Sequence, residues 1–320
     1  MVIIISLGPY SNAAMFAPDQ GSFWYYWKLQ NPDFWSRFSV WSLYALHQIS
    51  LWGLIAYAQL QRPKYSKTLN PVNIAAIAVN ALFILLHIWQ TKYWYDGLAQ
   101  DTPVWTSQAS VVFMLIFVLI MENKRRGLFF GKSIEAVEKP AGFLKRYHGY
   151  YFAWAIIYTF WFHPIEDTVG HLLGTFYTIM LMLQGSLFFT RFHTNRHWTL
   201  LLETFVLIHG ALMAYMTAES GQWRMFLFGF LTMFVITQMH GIGLGNKTRC
   251  SIVGLYIAAI VFSYFGDWGA MIAIVRIPVA EYGLLFIIVA IAWLPVLLGR
   301  LVRARNKLYI TKPGRVSKSY

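Results

Sequence analysis

Cysteine occurs once in the 320 residues, at Cys250, so no internal disulfide can staple the chain and no cluster needing several thiolates can form. Charge is scarce as well. Asp, Glu, Lys and Arg make up 12 %, half of the roughly 25 % a soluble domain carries. Acids are the scarcer sign, with 13 against 26 Lys plus Arg. There is no fixed-period repeat, low-complexity tract, or nucleotide, phosphate or nucleic-acid signature. "GIGLG" at 241–245 follows an apolar run and lacks the strand–turn–helix setting of a dinucleotide loop. These absences exclude a disulfide scaffold, an iron–sulfur protein and a soluble catalytic domain.

What is present is apolar: 58 % hydrophobic residues and a mean hydropathy of +0.49. Lipid in place of water as the surrounding solvent accounts for both. The chain is therefore predicted to be an all-α polytopic membrane bundle, counted in spans of about 20 residues. Nine candidates read out, at roughly 38–60, 71–95, 104–122, 147–163, 166–190, 197–218, 223–241, 250–266 and 281–299. "WGAMIAIVRIPV" at 268–279 reads as too short, and too charged at Arg276, to cross; an interfacial or re-entrant position is expected. Residues 1–37 form an aromatic N-terminal segment whose Trp and Tyr favour the headgroup level. "MVIIISLGPY" lacks the basic start of a signal peptide and is expected to be retained. Residues 38–299 form the bundle, and 300–320 a basic tail expected to rest on anionic lipid.

Basic residues fall in alternate loops. Arg62, Lys64 and Lys67, seven between Lys124 and Arg146, Arg191 and Arg196, Lys247 and Arg249, and seven from Arg300 to Lys318 account for 21 of the 26. Positive loops stay cytoplasmic, so the N-terminus is expected outside and the C-terminus inside, as an odd span count requires.

That orientation gives each polar residue a depth. Residues 161–171, "WFHPIEDTVGH", bring His163, Glu166, Asp167 and His171 to the outer face. Pro164 ends the fourth span, and the acids then stand at the start of the fifth, where the helix dipole favours negative charge. Asp167 and His171 are four apart and are expected to stack. His47, His87 and His209 fall within spans, as does Glu203. An ionised group at mid-bilayer costs about 2.5–3.5 kcal/mol on insertion scales, so these groups are expected to face the interior and bond to one another, to a cofactor or to water. Asn73, Asn80 and His87 recur every seven residues, close to two turns, and form one stripe. Glu203 and His209, six apart, sit off-face yet can belong to one path.

Four imidazoles and a carboxylate at similar depth constitute a candidate ligand set. Zinc, copper and non-haem iron accept imidazole, and a b-type haem needs two. The pairs to test are His87 with His171 and His47 with His209. His163 and His171 are metal-ligand candidates on the outer side, His193 and His197 on the cytoplasmic side; Glu166, Asp167 and Glu203 are candidate acid–base groups. The HxxxH spacing of His193 and His197 resembles one box of membrane di-iron desaturases and hydroxylases, whose HxxHH boxes have no counterpart here. Small residues in "GHLLG", 170–174, are expected at a helix contact.

The functional expectation is a membrane redox or lipid-modifying enzyme using iron, copper or haem on an apolar or quinone-like substrate from the bilayer. A proton-coupled transporter or channel through Glu203, His209 and the asparagine stripe is the second reading, and a scaffold without chemistry the third. Membrane lipids are the expected partners, an oligomer is possible on this reading, and nucleic acid is not expected.

Overall fold

The computed structural model describes residues 1–7, 16–18, 20, 25–217 and 222–310. The last ten residues of the basic tail and Trp24 of the aromatic segment lie outside them. Among the described residues the chain is helical without a strand. α1 is Val2–Leu7, α2 Phe34–Gln61, α3 Pro71–Trp94, α4 Val104–Arg126, α5 Glu138–Phe162, α6 Val169–Ser186 and α7 Arg196–Thr217. α8 is Trp223–Ile236, α9 Asn246–Ser263, α10 Trp268–Met271 and α11 Arg276–Ile310.

The helix starts follow local chemistry. Asp33 accepts the Ser36 amide at 2.6 Å, satisfying one of the orphan donors of the first turn. Pro71 opens α3 at a position that needs no N–H, and Asn70 and Asn73 close a reciprocal capping box. Asn195 accepts the amides of His197 (2.9 Å) and Trp198 (3.2 Å) and so fixes the start of α7. α4 stops at Gly127, where φ is +72° and a Cβ would collide with the Gly131–Lys132 backbone, a conformation natural only to glycine.

Four helical runs are long and apolar enough to cross a membrane: Pro71–Trp94, Val104–Arg126, Arg196–Met216 and Trp268–Gly299. The last corrects the expectation for 268–279. That stretch is the first part of a continuous run, with α10 leading through a 3₁₀ turn at Ile272–Val275 directly into α11. Arg276, which argued against crossing, is exposed, and a long side chain at one end of such a run can reach polar surroundings.

Loops collect at two ends. At one, Ser66 pairs with the backbone of Phe189 and Arg191, Phe130 donates to the Ile236 carbonyl, and Arg125 reaches the Gly241 carbonyl. At the other, Arg37 bridges Asp96 at 2.7 Å and also meets Asp101, Gln100 bonds Leu29, and Arg224 holds Asp267 at 2.9 Å. Two main cores lie between. One draws on α2, α3 and α5 around Phe83, Trp161 and Phe162. The other joins α4, α8 and α11 around Ile116, Ile120, Met233 and Leu285. Large apolar side chains also face outward, among them Leu255 and Phe262 on α9, as a lipid-facing surface requires.

Candidate functional site

The asparagine stripe of α3 binds its neighbours together. The Asn73 carboxamide donates to the carbonyls of Ser186 (2.8 Å) and Phe188 (2.9 Å) at the end of α6. Asn80 donates to Ser186 Oγ at 2.9 Å and accepts from His47 Nε2 at 2.8 Å. Trp161 of α5 donates its indole N–H to His47 Nδ1 at 3.2 Å. Nδ1 is therefore an acceptor and Nε2 carries the proton, so His47 is neutral with both nitrogens engaged. His87 is occupied too. Its Nε2 faces the carbonyls of Phe160 (3.1 Å) and His163 (3.0 Å), to which it must donate. Nδ1 is then an acceptor, 3.3 Å from Gln90 Oε1, while Gln90 Nε2 has no partner. A half-turn of that carboxamide satisfies both groups. Trp161 packs its ring against His87 at 4.1 Å between centroids, tilted by 33°, and so links the two imidazoles through ring and N–H. The pairs expected across the bundle, His87 with His171 and His47 with His209, give way to these bonds because nearer acceptors and donors saturate His47 and His87.

Three other imidazoles lie around the first turns of α6. His163 ends α5, its Nδ1 3.0 Å from the Tyr25 hydroxyl. Burial, with Glu166 and Asp96 adding to it, holds Tyr25 well above the usual phenol range. Tyr25 thus keeps its proton and donates it to His163. The His171 ring lies 5.7 Å from that of His163 and 4.9 Å from Trp27. His209, on α7, packs against α6 where the chain has no side chain: a Cβ on Gly174 would come within 3.3 Å of its Cε1. Gly170, one turn earlier, receives Met213 in the same way. "GHLLG" is thus the close contact between α6 and α7. His209 Nδ1 is buried without a partner.

The acids divide. Glu166 is buried beside Tyr95 and Tyr25. Asp167 is exposed and precedes the helix. The expected stacking of Asp167 on His171 is corrected: Thr168 takes the N-cap, and its Oγ1 pairs with His171 Nδ1 at 2.8 Å. Thr can reach back to the first-turn amides from that position while Asp167, one residue earlier, cannot. Glu203 does not stand alone in lipid either. Arg126 of α4 holds it at 2.5 Å, with both side chains at least nine-tenths buried.

His193 and His197 also separate. α7 begins at Arg196, so His193 lies before the helix and the i, i+4 relation fails. His193 Nδ1 lies 2.9 Å from the Gln184 carbonyl and its ring 6.1 Å from that of His148. His197 is exposed and takes the Arg196 Nε–H. Among the described residues no three His, Cys, Asp or Glu side chains stand close enough to hold a metal ion. Sequence reasoning missed Arg126, Glu281 and Tyr25. Tyr177 of α6 lies between two expected site residues: its ring is 6.5 Å from that of His209, and it feels the charge of Glu203.

No family model, curated protein or solved structure matches the chain.

Proposed function

We propose that the chain is a nine-span membrane protein, N-terminus outside and C-terminus inside, that carries protons through its core. α2 to α9 supply eight passes between the two loop ends, and Trp268–Gly299 supplies the ninth. The basic loops after α2, α4, α6 and α8 set the orientation. The observation that carries the functional reading is Tyr177. It stands between His209 and Glu203, so protonatable groups run from the outer imidazoles His163, His171 and His209 to the buried acid on the cytoplasmic side. Intramembrane His and Glu in such a row are the ordinary material of proton relays. Reconstituted in vesicles with a trapped pH dye, the protein is expected to pass protons above the empty-vesicle rate. Glu203→Gln and Tyr177→Phe are each expected to lower that rate by about tenfold or more, a barrier change of roughly 1.4 kcal/mol. Flux indistinguishable from empty vesicles overturns the reading.

A second reading is favoured by the unpartnered nitrogen of His209. His209 packs against α6, the helix that also carries an open apolar groove lined by Met1, Val169, Leu172, Leu173 and Phe176. On this reading the outer imidazoles serve a membrane redox or lipid-modifying enzyme, with iron, copper or haem as cofactor and an apolar or quinone-like molecule as substrate. An absorption spectrum and metal analysis of the purified protein decide it: a Soret band or stoichiometric metal supports it, and neither removes it.

A further inference from the structure

Arg126, Glu203 and Glu281 come from α4, α7 and α11 and line one small cavity together with Gln238 and the apolar Leu119, Val206, Phe230 and Met233. Arg126 is 3 % exposed and Glu281 7 %. A guanidinium keeps its proton under all ordinary conditions, and its Nη1 is committed to Glu203 Oε2. That pair is neutral overall. Glu281 is the third charge, close enough to feel both members, and it has no second cation in the cavity lining. Tyr282, beside it on α11, gives its hydroxyl to the Leu128 carbonyl. The facing group from the segment after α8, Gln238, is uncharged.

An ionised Glu281 would leave one net negative charge in a buried site with little hydration, which is unfavourable. Binding a proton removes it. The Nε–H of Arg126 is buried with no acceptor, and the cavity measures about 20 Å³. One water needs roughly 10–15 Å³ by the same measure, together with two or more polar partners. A water there accepts from Arg126 Nε and donates to a carboxylate.

We propose that Glu281 is a proton-binding site: its carboxylate takes up one proton to become a carboxylic acid beside the Arg126–Glu203 pair, and the adjoining cavity holds one bridging water. The proposal deepens the transport reading by placing a proton acceptor next to Glu203, yet its test is separate. A signal from Glu281 without flux sinks only the transport reading; flux without that signal sinks only this one.

The test is infrared spectroscopy of the full-length protein in lipid nanodiscs at pH 7, reading the C=O band of protonated carboxyls. The band is expected to lose one carboxyl in Glu281→Gln. It is expected to lose the same amount in Glu203→Gln, because Glu281 then becomes the sole counter-ion of Arg126 and ionises. Helix content by circular dichroism checks the fold. Where Glu281→Gln does not fold, Glu203→Gln, which leaves one acid for one Arg, decides the matter alone. A band unchanged in the folded variants overturns the proposal. So does a wild-type band that disappears when sodium replaces potassium, which would make the site one for a metal cation.

Discussion

Polar groups buried among α2, α3, α5 and α6 are neutral and bonded to protein, whereas those among α4, α7 and α11 are charged and unevenly matched. His47, Asn73, Asn80 and His87 belong to the first set; Gln48, a buried carboxamide without a partner, and Gln90, with its Nε2 unpaired, are exceptions. Arg126, Glu203 and Glu281 form the second, with a donor to spare and room for a water. Both regions keep polarity away from lipid. On the proposed reading, the second has a protonation state that changes without breaking the packing. A completed hydrogen-bond ladder fixes helices in place, and an odd number of charges leaves something to be carried.

The charged region offers the sharpest way to break this contrast. Arg126→Met strands two acids, and removing one partner of a buried pair costs about 3–5 kcal/mol. Thermal unfolding in detergent is expected to fall accordingly or the protein not to accumulate. Replacing all three, Arg126→Met with Glu203→Leu and Glu281→Leu, is expected to restore stability, since apolar groups of similar volume are often neutral or stabilising there. Proton flux is expected to stay absent. A triple variant that still conducts would reduce the triad to glue between helices.

The contact between α6 and α7 joins the two ends of the proposed path. Gly174→Leu drives a side chain into His209, a strain of about 1–3 kcal/mol by overpacking. Flux is expected to fall by more than that loss of stability explains, because Tyr177 and His209 separate. A Gly174→Leu protein with wild-type flux would detach His209 from the path.

The neutral ladder is expected to behave differently. Asn80→Leu leaves the Nε2–H of His47 without its acceptor and takes one donor from the Ser186 hydroxyl, which still donates to the Met182 carbonyl, at about 1–2 kcal/mol; side-chain bonds within membranes lie toward the low end of such values. Thermal stability is expected to drop while flux per folded molecule holds. Loss of flux with stability intact would move the ladder into the functional class.

Much of this organisation was legible in the sequence, for physical reasons that also mark where it stopped. Hydrophobic runs set the helices because lipid tolerates little else, and the seven-residue spacing of Asn73, Asn80 and His87 placed them on one face. Arg276 broke the last run in the reading, which started the final helix too late and left Glu281 looking like a terminal residue. Arg126 was counted among the orienting charges of the loop after α4. A lone acid inside the apolar run 268–299 was the available signal, and following it through would have asked for a cation on another helix. Thr168 took the cap expected of the acids because a shift of one residue decides which oxygen reaches the first turn. Contacts such as Tyr25 with His163 join residues 138 positions apart, and no local pattern encodes them.

His193 gives the mildest test, from the loop between α6 and α7. Burial, aided by nearby His148, lowers its pKa from 6.5 to about 4, with the Gln184 carbonyl opposing. At neutral pH the ring is uncharged both folded and unfolded, so it contributes no pH dependence. Between about 6.5 and 4 the unfolded chain binds more protons than the folded one, and stability falls as pH falls through that window, levelling below it. The ring keeps some exposure, which holds the loss to about 1 kcal/mol. Unfolding temperatures of wild type and His193→Asn, compared from pH 7 down to 4, are expected to diverge only in that interval. Parallel curves would assign the acid sensitivity elsewhere and leave this loop as inert packing.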